Sequence, residues 1–279
     1  MPDMSARFLF SLPELPMYEW LNLGILFAIP AAVFILAPLM FHVKTQEDTP
    51  APNRSYPTGG DAAAAGLIVI MLVLLYAFGQ MSAAFAEKES MSHESGSGCD
   101  MILSQAVMAF LMLPGLVRAV QHPAPPVFRP NKLAWFFGGL SAIYIFSFFL
   151  NLSGLSEWIH EALDAPLEQQ VAEEMGQGSW KIQLLSAASA IVIAPVLEET
   201  FFRGYLYPVL RKYTNVPFAL IAVSLFFGAI HLSIVHFLPL AFVGLILNLA
   251  YEKTHCIRLS IAMHASFNTL SVLVIHLAP

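Results

Sequence analysis

The sequence predicts an all-α integral membrane protein, a bundle of about eight transmembrane helices, from two observations. Of its 279 residues, 57% are hydrophobic and only 11% are charged, whereas a soluble domain of this size carries about 25% charged residues. The apolar residues also fall into separate stretches of about 20 residues, the length that an α-helix needs to cross the hydrocarbon core. Membrane lipid is therefore an expected partner. No basic tract or aromatic-basic pattern in the sequence points to nucleic acid.

Eight apolar stretches are candidate transmembrane helices. The sixth and seventh are short and are separated only by the four residues SIVH, which predicts a tight hairpin or a re-entrant element. The acidic segment 153–180 is partly amphipathic and predicts a helix lying at the membrane surface or a lid over a site. The eight stretches cover residues 20–41, 62–85, 101–120, 133–152, 181 onward through the two adjacent glutamates, 216–232, 237–251 and 258–277.

Lysine and arginine in the connecting loops predict the orientation. With the N-terminus outside, the loops on the cytoplasmic side carry nine Lys and Arg residues and those on the other side carry three. Because cytoplasmic loops are enriched in these residues, both termini are expected outside the cytoplasm. This orientation places Cys99 and Cys256 on opposite sides of the membrane, which excludes a disulfide between them.

Two adjacent carboxylates and an arginine lie inside an apolar stretch, in the sequence APVLEETFFRG at 194–204. Ionisable groups at membrane depth are costly, so each is a candidate functional residue. Glu199 and Arg203 are four residues apart with the acid first, the favourable order for an ion pair on a helix. Glu198 points about 100° away from its neighbour and has no partner at such a spacing. The pattern predicts that Glu199 is neutralised and that Glu198 remains available as a general base.

Three further polar residues lie on the apolar stretches that follow. FGAIH ends at His231, and HASFN places His264 and Asn268 four apart, hence on one face of a helix. Glu198 and His231 are equally distant from a turn near position 215, so an antiparallel hairpin would bring them to the same depth. By the same count, His264 and Asn268 lie closer to the cytoplasmic surface than Glu198 and His231. A helix tilt or a later helix start is needed to bring all four to the same depth.

A buried carboxylate, two histidines and an asparagine suit peptide hydrolysis. Glu198 would deprotonate a water molecule, and His231 would hold that water or serve the leaving amine. His264 and Asn268 would donate hydrogen bonds to the developing oxyanion. No Ser or Cys lies beside a His in a comparable setting, which favours an activated water over a covalent nucleophile.

These residues resemble the motifs of one known family. EETFFR matches EExxxR, FGAIH matches FxxxH and HASFN matches HxxxN, in that order and on separate apolar stretches. The region from 181 to 277 is therefore similar to the CPBP family (CAAX protease and bacteriocin-processing, also called Abi) of glutamate-type intramembrane proteases. The resemblance implies catalytic roles for Glu198, His231, His264 and Asn268, with structural support of the site from Glu199, Arg203 and Phe227.

The resemblance also carries expectations about organisation and substrate. It implies a catalytic core at 181–279 that surrounds a water-filled cavity open to the cytosol, preceded by transmembrane helices and loops at 1–180. It implies an endopeptidase in the cytoplasmic membrane of a prokaryote, acting on a peptide or protein substrate that in some members is prenylated. No cofactor is expected for a glutamate mechanism.

Alternative functions stay open on the sequence alone. A zinc metalloprotease would use Glu198, His231 and His264 as ligands, although the sequence contains no HExxH. A proton-coupled transporter would also place Glu and His in a membrane cavity. In a non-catalytic scaffold, Glu199 and Arg203 would only fix helix packing. Asn268, one turn from His264, favours hydrolysis, because an oxyanion donor adds little to a proton relay.

Overall fold

The computed structural model describes residues 16–40, 131–167 and 180–277, and these ranges contain helices and no strand. The all-helical prediction is confirmed for them. We number the helices in chain order. They are α1 (Met17–Met40), α2 (Lys132–Leu152), α3 (Leu155–Leu163), α4 (residues 180–213), α5 (Val216–Ala229), α6 (Ile234–Thr254) and α7 (Ile257–Leu277).

The helices are long and apolar enough to identify an integral membrane protein. Four of them meet the length and hydropathy of a membrane span, and α1 and α5 contain shorter apolar stretches. Large apolar side chains on α2, such as Phe137, Phe148 and Phe149, are exposed, as expected for a surface that faces lipid. The predicted stretches at 62–85 and 101–120 lie outside the described residues, so the total of about eight spans stays a prediction.

Helix α4 is continuous but not uniformly α-helical. Two π-helical segments, Ser189–Ile193 and Phe202–Leu206, interrupt it. Pro195 and Pro208 lie two residues beyond these segments. A proline inside a helix cannot donate its backbone hydrogen bond and its ring clashes with the preceding turn, and a local widening of the helix relieves both effects. Such π segments often occur at functional sites. The apolar stretch from 181 onward predicts a helix here, but nothing in its pattern predicts these segments.

Helices α5 and α6 form a tight antiparallel hairpin. Asn215 caps α5 by accepting a hydrogen bond from the Phe218 N–H at 2.9 Å. Ser233 caps α6 by accepting one from the His236 N–H at 3.3 Å. The prediction that residues 233–236 form the turn is therefore wrong by about three residues. The turn lies at 230–233, because the Ser233 hydroxyl satisfies a free N–H at the helix start.

Two glycines allow the helices of this hairpin to approach closely. A Cβ atom at Gly228 would lie 2.7 Å from the carbonyl oxygen of Phe237. A Cβ atom at Gly244 would lie 3.1 Å from the Cβ of Phe227. Small residues at helix interfaces in membranes permit this kind of contact. The hairpin thereby brings the backbone of α6 against the site residues of α4 and α5.

The acidic segment contains a short helix, as predicted. Helix α3 begins after Gly154, which has a left-handed backbone, and ends before Asp164. Trp158 is exposed on it, beside the exposed Glu157 and Glu161. This composition suits the boundary between lipid and water, and its position at the membrane surface stays a prediction. Residues 168–179 lie outside the described ranges.

Candidate active site

A fully buried ion pair connects α4 to α6. Arg203 Nη1 lies 2.7 Å from Glu199 Oε1, and neither side chain is exposed, as the spacing of the two residues predicts. Arg203 Nη2 donates to the carbonyl oxygen of Gly244 at 2.9 Å. The guanidinium carbon also lies 5.0 Å from the ring centre of Phe227, within the range of a cation–π interaction. The arginine is thus held from three sides.

His264 on α7 lies between the two glutamates. Its Nδ1 is 3.0 Å from Glu199 Oε1 and its Nε2 is 4.0 Å from Glu198 Oε2. Glu198 is 15% exposed, and within the described residues its buried Oε2 makes no direct hydrogen bond. Glu199 therefore has two partners, whereas Glu198 faces one imidazole nitrogen across a gap too long for a direct hydrogen bond.

Phe227 is buried between the two histidines of the site. Its ring centre is 5.0 Å from that of His231 and 5.6 Å from that of His264. His231 Nδ1 donates to the Phe227 carbonyl oxygen at 2.7 Å. Because a carbonyl only accepts hydrogen bonds, a neutral His231 carries its proton on Nδ1 and presents Nε2 as an acceptor.

Asn268 fastens α7 to the first π segment of α4. Its Nδ2 donates to the carbonyl oxygen of Ala190 at 2.7 Å, and Ala190 belongs to that segment. A π segment interrupts the regular hydrogen-bond ladder, so a side chain can reach a carbonyl there. The partner of Asn268 was not predictable, because no sequence feature identified the π segment.

The structure brings His264 next to Glu198, with 4.0 Å between Nε2 and Oε2. Counting residues from the turns placed His264 shallower than Glu198 unless a helix tilt or a later helix start made up the difference, and the structure brings the two side chains together. Residue counts give depth only for helices of similar direction, whereas packed helices cross at angles. The Gly244 carbonyl, the second partner of Arg203, was not predicted from the sequence. A glycine inside an apolar helix was the available signal, since it marks a close approach.

The zinc alternative requires three ligands around one point. Across residues 16–40, 131–167 and 180–277, no group of three His, Cys, Asp or Glu side chains lies close enough to hold a metal ion. His264 Nδ1 is directed to Glu199, and His231 Nδ1 is directed to the backbone of its own helix turn. Both contacts use Nδ1 and leave Nε2 of each ring for other partners, as in a histidine that ligates a metal through Nε2, so zinc stays an alternative for experiment.

The C-terminal region matches a family of membrane endopeptidases. Residues 180–270 match the family described as "Type II CAAX prenyl endopeptidase Rce1-like", which confirms the resemblance to the CPBP family inferred from the three motifs. The match covers about a third of the chain. The matched region includes the candidate site residues Glu198, Glu199, His231, His264 and Asn268.

Two curated proteins are similar to this chain. An Escherichia coli protein described as "Uncharacterized 24.3 kDa protein" is 29% identical over 214 residues, which is 73% of this chain and 94% of that protein. The Bacillus subtilis (strain 168) protein "Putative membrane peptidase YdiL" is 33% identical over 93 residues, which is 33% of this chain and 38% of that protein. No solved structure matches the chain significantly. Together the comparisons support a membrane protease in general terms.

Proposed function

We propose that this protein is an intramembrane endopeptidase in which Glu198 activates a water molecule. The observation that carries the proposal is the 4.0 Å separation between Glu198 Oε2 and His264 Nε2. With His264 Nδ1–H donating to Glu199, Nε2 of the neutral ring is an acceptor, and the Glu198 carboxylate is an acceptor too. A single water molecule that donates one hydrogen to each atom satisfies both, and a polar contact of this length suits such a bridge.

The reaction then follows from general acid–base chemistry. The water oxygen forms a bond to the carbonyl carbon of the scissile peptide while Glu198 takes one of the water's protons. The peptide C–N bond of the tetrahedral intermediate breaks as the leaving nitrogen receives a proton from Glu198. His264 Nε2 orients the water through its second hydrogen, and His231 Nε2 is the acceptor assigned to the leaving amine.

The oxyanion of the tetrahedral intermediate needs a hydrogen-bond donor. Asn268 uses one N–H for the Ala190 carbonyl, and we assign the second N–H of the same amide to the oxyanion. An oriented donor of this kind contributes a factor of about 100 to 1,000 in rate. These roles refine the sequence-based expectation, in which His264 served only the oxyanion.

The short hairpin supports a water-filled cavity at the site. Helix α5 has 14 residues, a length of about 21 Å at 1.5 Å per residue, which is shorter than the hydrocarbon core of about 30 Å. The turn at 230–233 would then lie at membrane depth, where irregular backbone is tolerated only if it is buried in protein or lines a water-filled cavity. We propose that this cavity opens to the cytosol and that residues 181–279 form the catalytic core, after N-terminal helices in 1–180.

The substrate and the membrane are proposed from the comparisons. The matching family is named for CAAX prenyl endopeptidases, so a peptide or protein with a prenylated cysteine is the first substrate class to test, followed by unmodified peptides. Both similar proteins come from bacteria, which supports a location in a prokaryotic cytoplasmic membrane. The Lys and Arg distribution supports the orientation with both termini outside.

Comparative peptidomics tests the proposed activity and does not require an identified substrate. Cells that produce the wild type should contain cleaved peptides that are missing from cells producing equal amounts of Glu198→Gln, because glutamine cannot take a proton from water. Identical peptide populations in the two cultures would contradict the peptidase and favour a transporter or a scaffold.

Metal chelation separates the glutamate mechanism from the zinc alternative. We expect that cleavage by the purified protein survives treatment with a strong chelator, because Glu198 and His264 activate water without a metal in this proposal. Loss of activity together with about one zinc per chain, and recovery on adding zinc back, would assign the reaction to a metalloprotease.

A further inference from the structure

We propose that Glu199 is a positioning residue that fixes the tautomer of His264, beyond its role as the ion-pair partner of Arg203. The catalytic meaning of this inference rests on the proposed peptidase function. The inference is based on one carboxylate oxygen that contacts two side chains. Glu199 Oε1 lies 2.7 Å from Arg203 Nη1 and also 3.0 Å from His264 Nδ1.

The contact with Glu199 allows only one neutral form of His264. A carboxylate oxygen accepts hydrogen bonds and cannot donate them, so the proton of the neutral ring must be on Nδ1. In the opposite tautomer, the lone pair of Nδ1 would face the carboxylate oxygen at 3.0 Å. Two buried acceptors without a proton between them are costly. Glu199 therefore leaves Nε2 unprotonated, and that atom faces Glu198.

The position of Glu199 itself is fixed by contacts that extend to the backbone of α6. Arg203 holds Oε1 of the carboxylate and is in turn anchored on the Gly244 carbonyl at 2.9 Å. Phe227 lies against both Arg203 and His264. The carboxylate is completely buried, so water does not compete for its hydrogen bonds. The position of the α6 backbone at Gly244 therefore determines, through Arg203 and Glu199, where the His264 imidazole on α7 is held.

The tautomer matters because of what Nε2 must do. An unprotonated Nε2 accepts a hydrogen bond from the attacking water, whereas a protonated Nε2 would itself donate to Glu198 and occupy the general base. We therefore expect replacement of Glu199 by Gln to lower kcat more than it changes KM. The Gln amide offers both a donor and an acceptor, so it permits either tautomer. The expected loss is about 100-fold, the order for a misplaced catalytic group.

Nitrogen NMR of the histidines tests the inference without any substrate. The full-length protein is labelled with ¹⁵N-histidine in detergent micelles, and the signal of His264 is assigned by its disappearance in His264→Gln. At a pH where the ring is neutral, we expect wild-type His264 to carry its proton on Nδ1. In Glu199→Gln we expect a mixture of tautomers. Nε2 protonation in the wild type would overturn the inference, even if the variant does not fold.

A control variant separates positioning from a general loss of packing. Ser224→Ala removes the buried hydrogen bond between Asn248 Nδ2 and Ser224 Oγ, which is 2.9 Å long, at the α5–α6 interface. We expect this variant to leave the His264 tautomer unchanged. A wild-type tautomer in folded Glu199→Gln, or the same tautomer change in Ser224→Ala, would show that Glu199 does not position the ring.

The positioning role of Glu199 and the proposed peptidase function can be refuted separately. The tautomer is measured on the resting protein, so a peptidomics result without cleaved peptides leaves the role of Glu199 in orienting His264 intact. Conversely, Nε2 protonation in the wild type removes the positioning role and the acceptor role of His264 toward the water, whereas loss of cleavage in Glu198→Gln would still identify Glu198 as the base.

Discussion

Replacement of Arg203 by Met should strongly destabilise the protein. The side chain is completely buried, pairs with Glu199 at 2.7 Å and donates to the Gly244 carbonyl at 2.9 Å. Methionine has a similar length but neither the charge nor the donors, so Glu199 becomes a buried carboxylate without its counter-ion. Breaking a buried pair from one side costs about 3–5 kcal/mol.

The cost can be expressed as a change in melting temperature. At about 2–4 °C per kcal/mol, as found for chains of 150–250 residues, Arg203→Met should melt roughly 6–20 °C below the wild type. The double variant Arg203→Met/Glu199→Gln removes both charges and should recover most of the loss, because no unpaired ion remains. The non-additivity of the double-mutant cycle then measures the coupling of the two residues.

The assay is thermal unfolding in detergent, followed by intrinsic tryptophan fluorescence, with the free energy taken from reversible unfolding by SDS. Arg211→Met is the matched control, because it makes the same substitution on the same helix. Arg211 Nη2 lies 2.9 Å from Glu252 Oε1, but the arginine is 35% exposed, and such pairs contribute only about 0–1 kcal/mol. If Arg203→Met melted no lower than Arg211→Met, or if the double variant were as unstable as Arg203→Met, the buried pair would not have the energetic role that its geometry indicates.

Two further predictions concern helix packing and orientation. Gly244→Ala should lower the free energy of unfolding by about 1–3 kcal/mol through overpacking and reduce activity, because the new methyl group would lie 3.1 Å from Phe227 Cβ. Gly138→Ala is the control and should be neutral or stabilising, because nothing lies within 4 Å of its Cβ position. Equal effects of the two substitutions on stability would refute the close approach at Gly244. A membrane-impermeant thiol reagent applied to intact cells should modify Cys99 but not Cys256, and labelling of Cys256 from outside would reverse the predicted orientation.

Local interactions were predictable from the sequence, and long-range ones were not. The pairing of Glu199 with Arg203 followed from a four-residue spacing on one helix, and no tertiary information was needed. His264 is 65 residues from Glu199, so their contact depends on how α4 and α7 cross. The cap at Ser233 had a local signal, since serine is a preferred first residue of a helix. The Ala190 carbonyl had none, because backbone acceptors are exposed by π segments that the side-chain pattern does not reveal.

The direct test of the central claim is to compare Glu198→Gln with Glu199→Gln, measuring melting and cleavage on the same preparations. The substrate is a peptide identified by peptidomics or, failing that, a prenylated test peptide. We predict that Glu198→Gln abolishes cleavage and melts at or above the wild-type temperature, because it removes the base and a partly buried charge whose Oε2 accepts no direct hydrogen bond from the described residues. We predict that Glu199→Gln melts lower, because Arg203 loses its counter-ion, and retains some cleavage. Near-wild-type cleavage by Glu198→Gln, together with a folded but inactive Glu199→Gln, would show that the base is the other carboxylate.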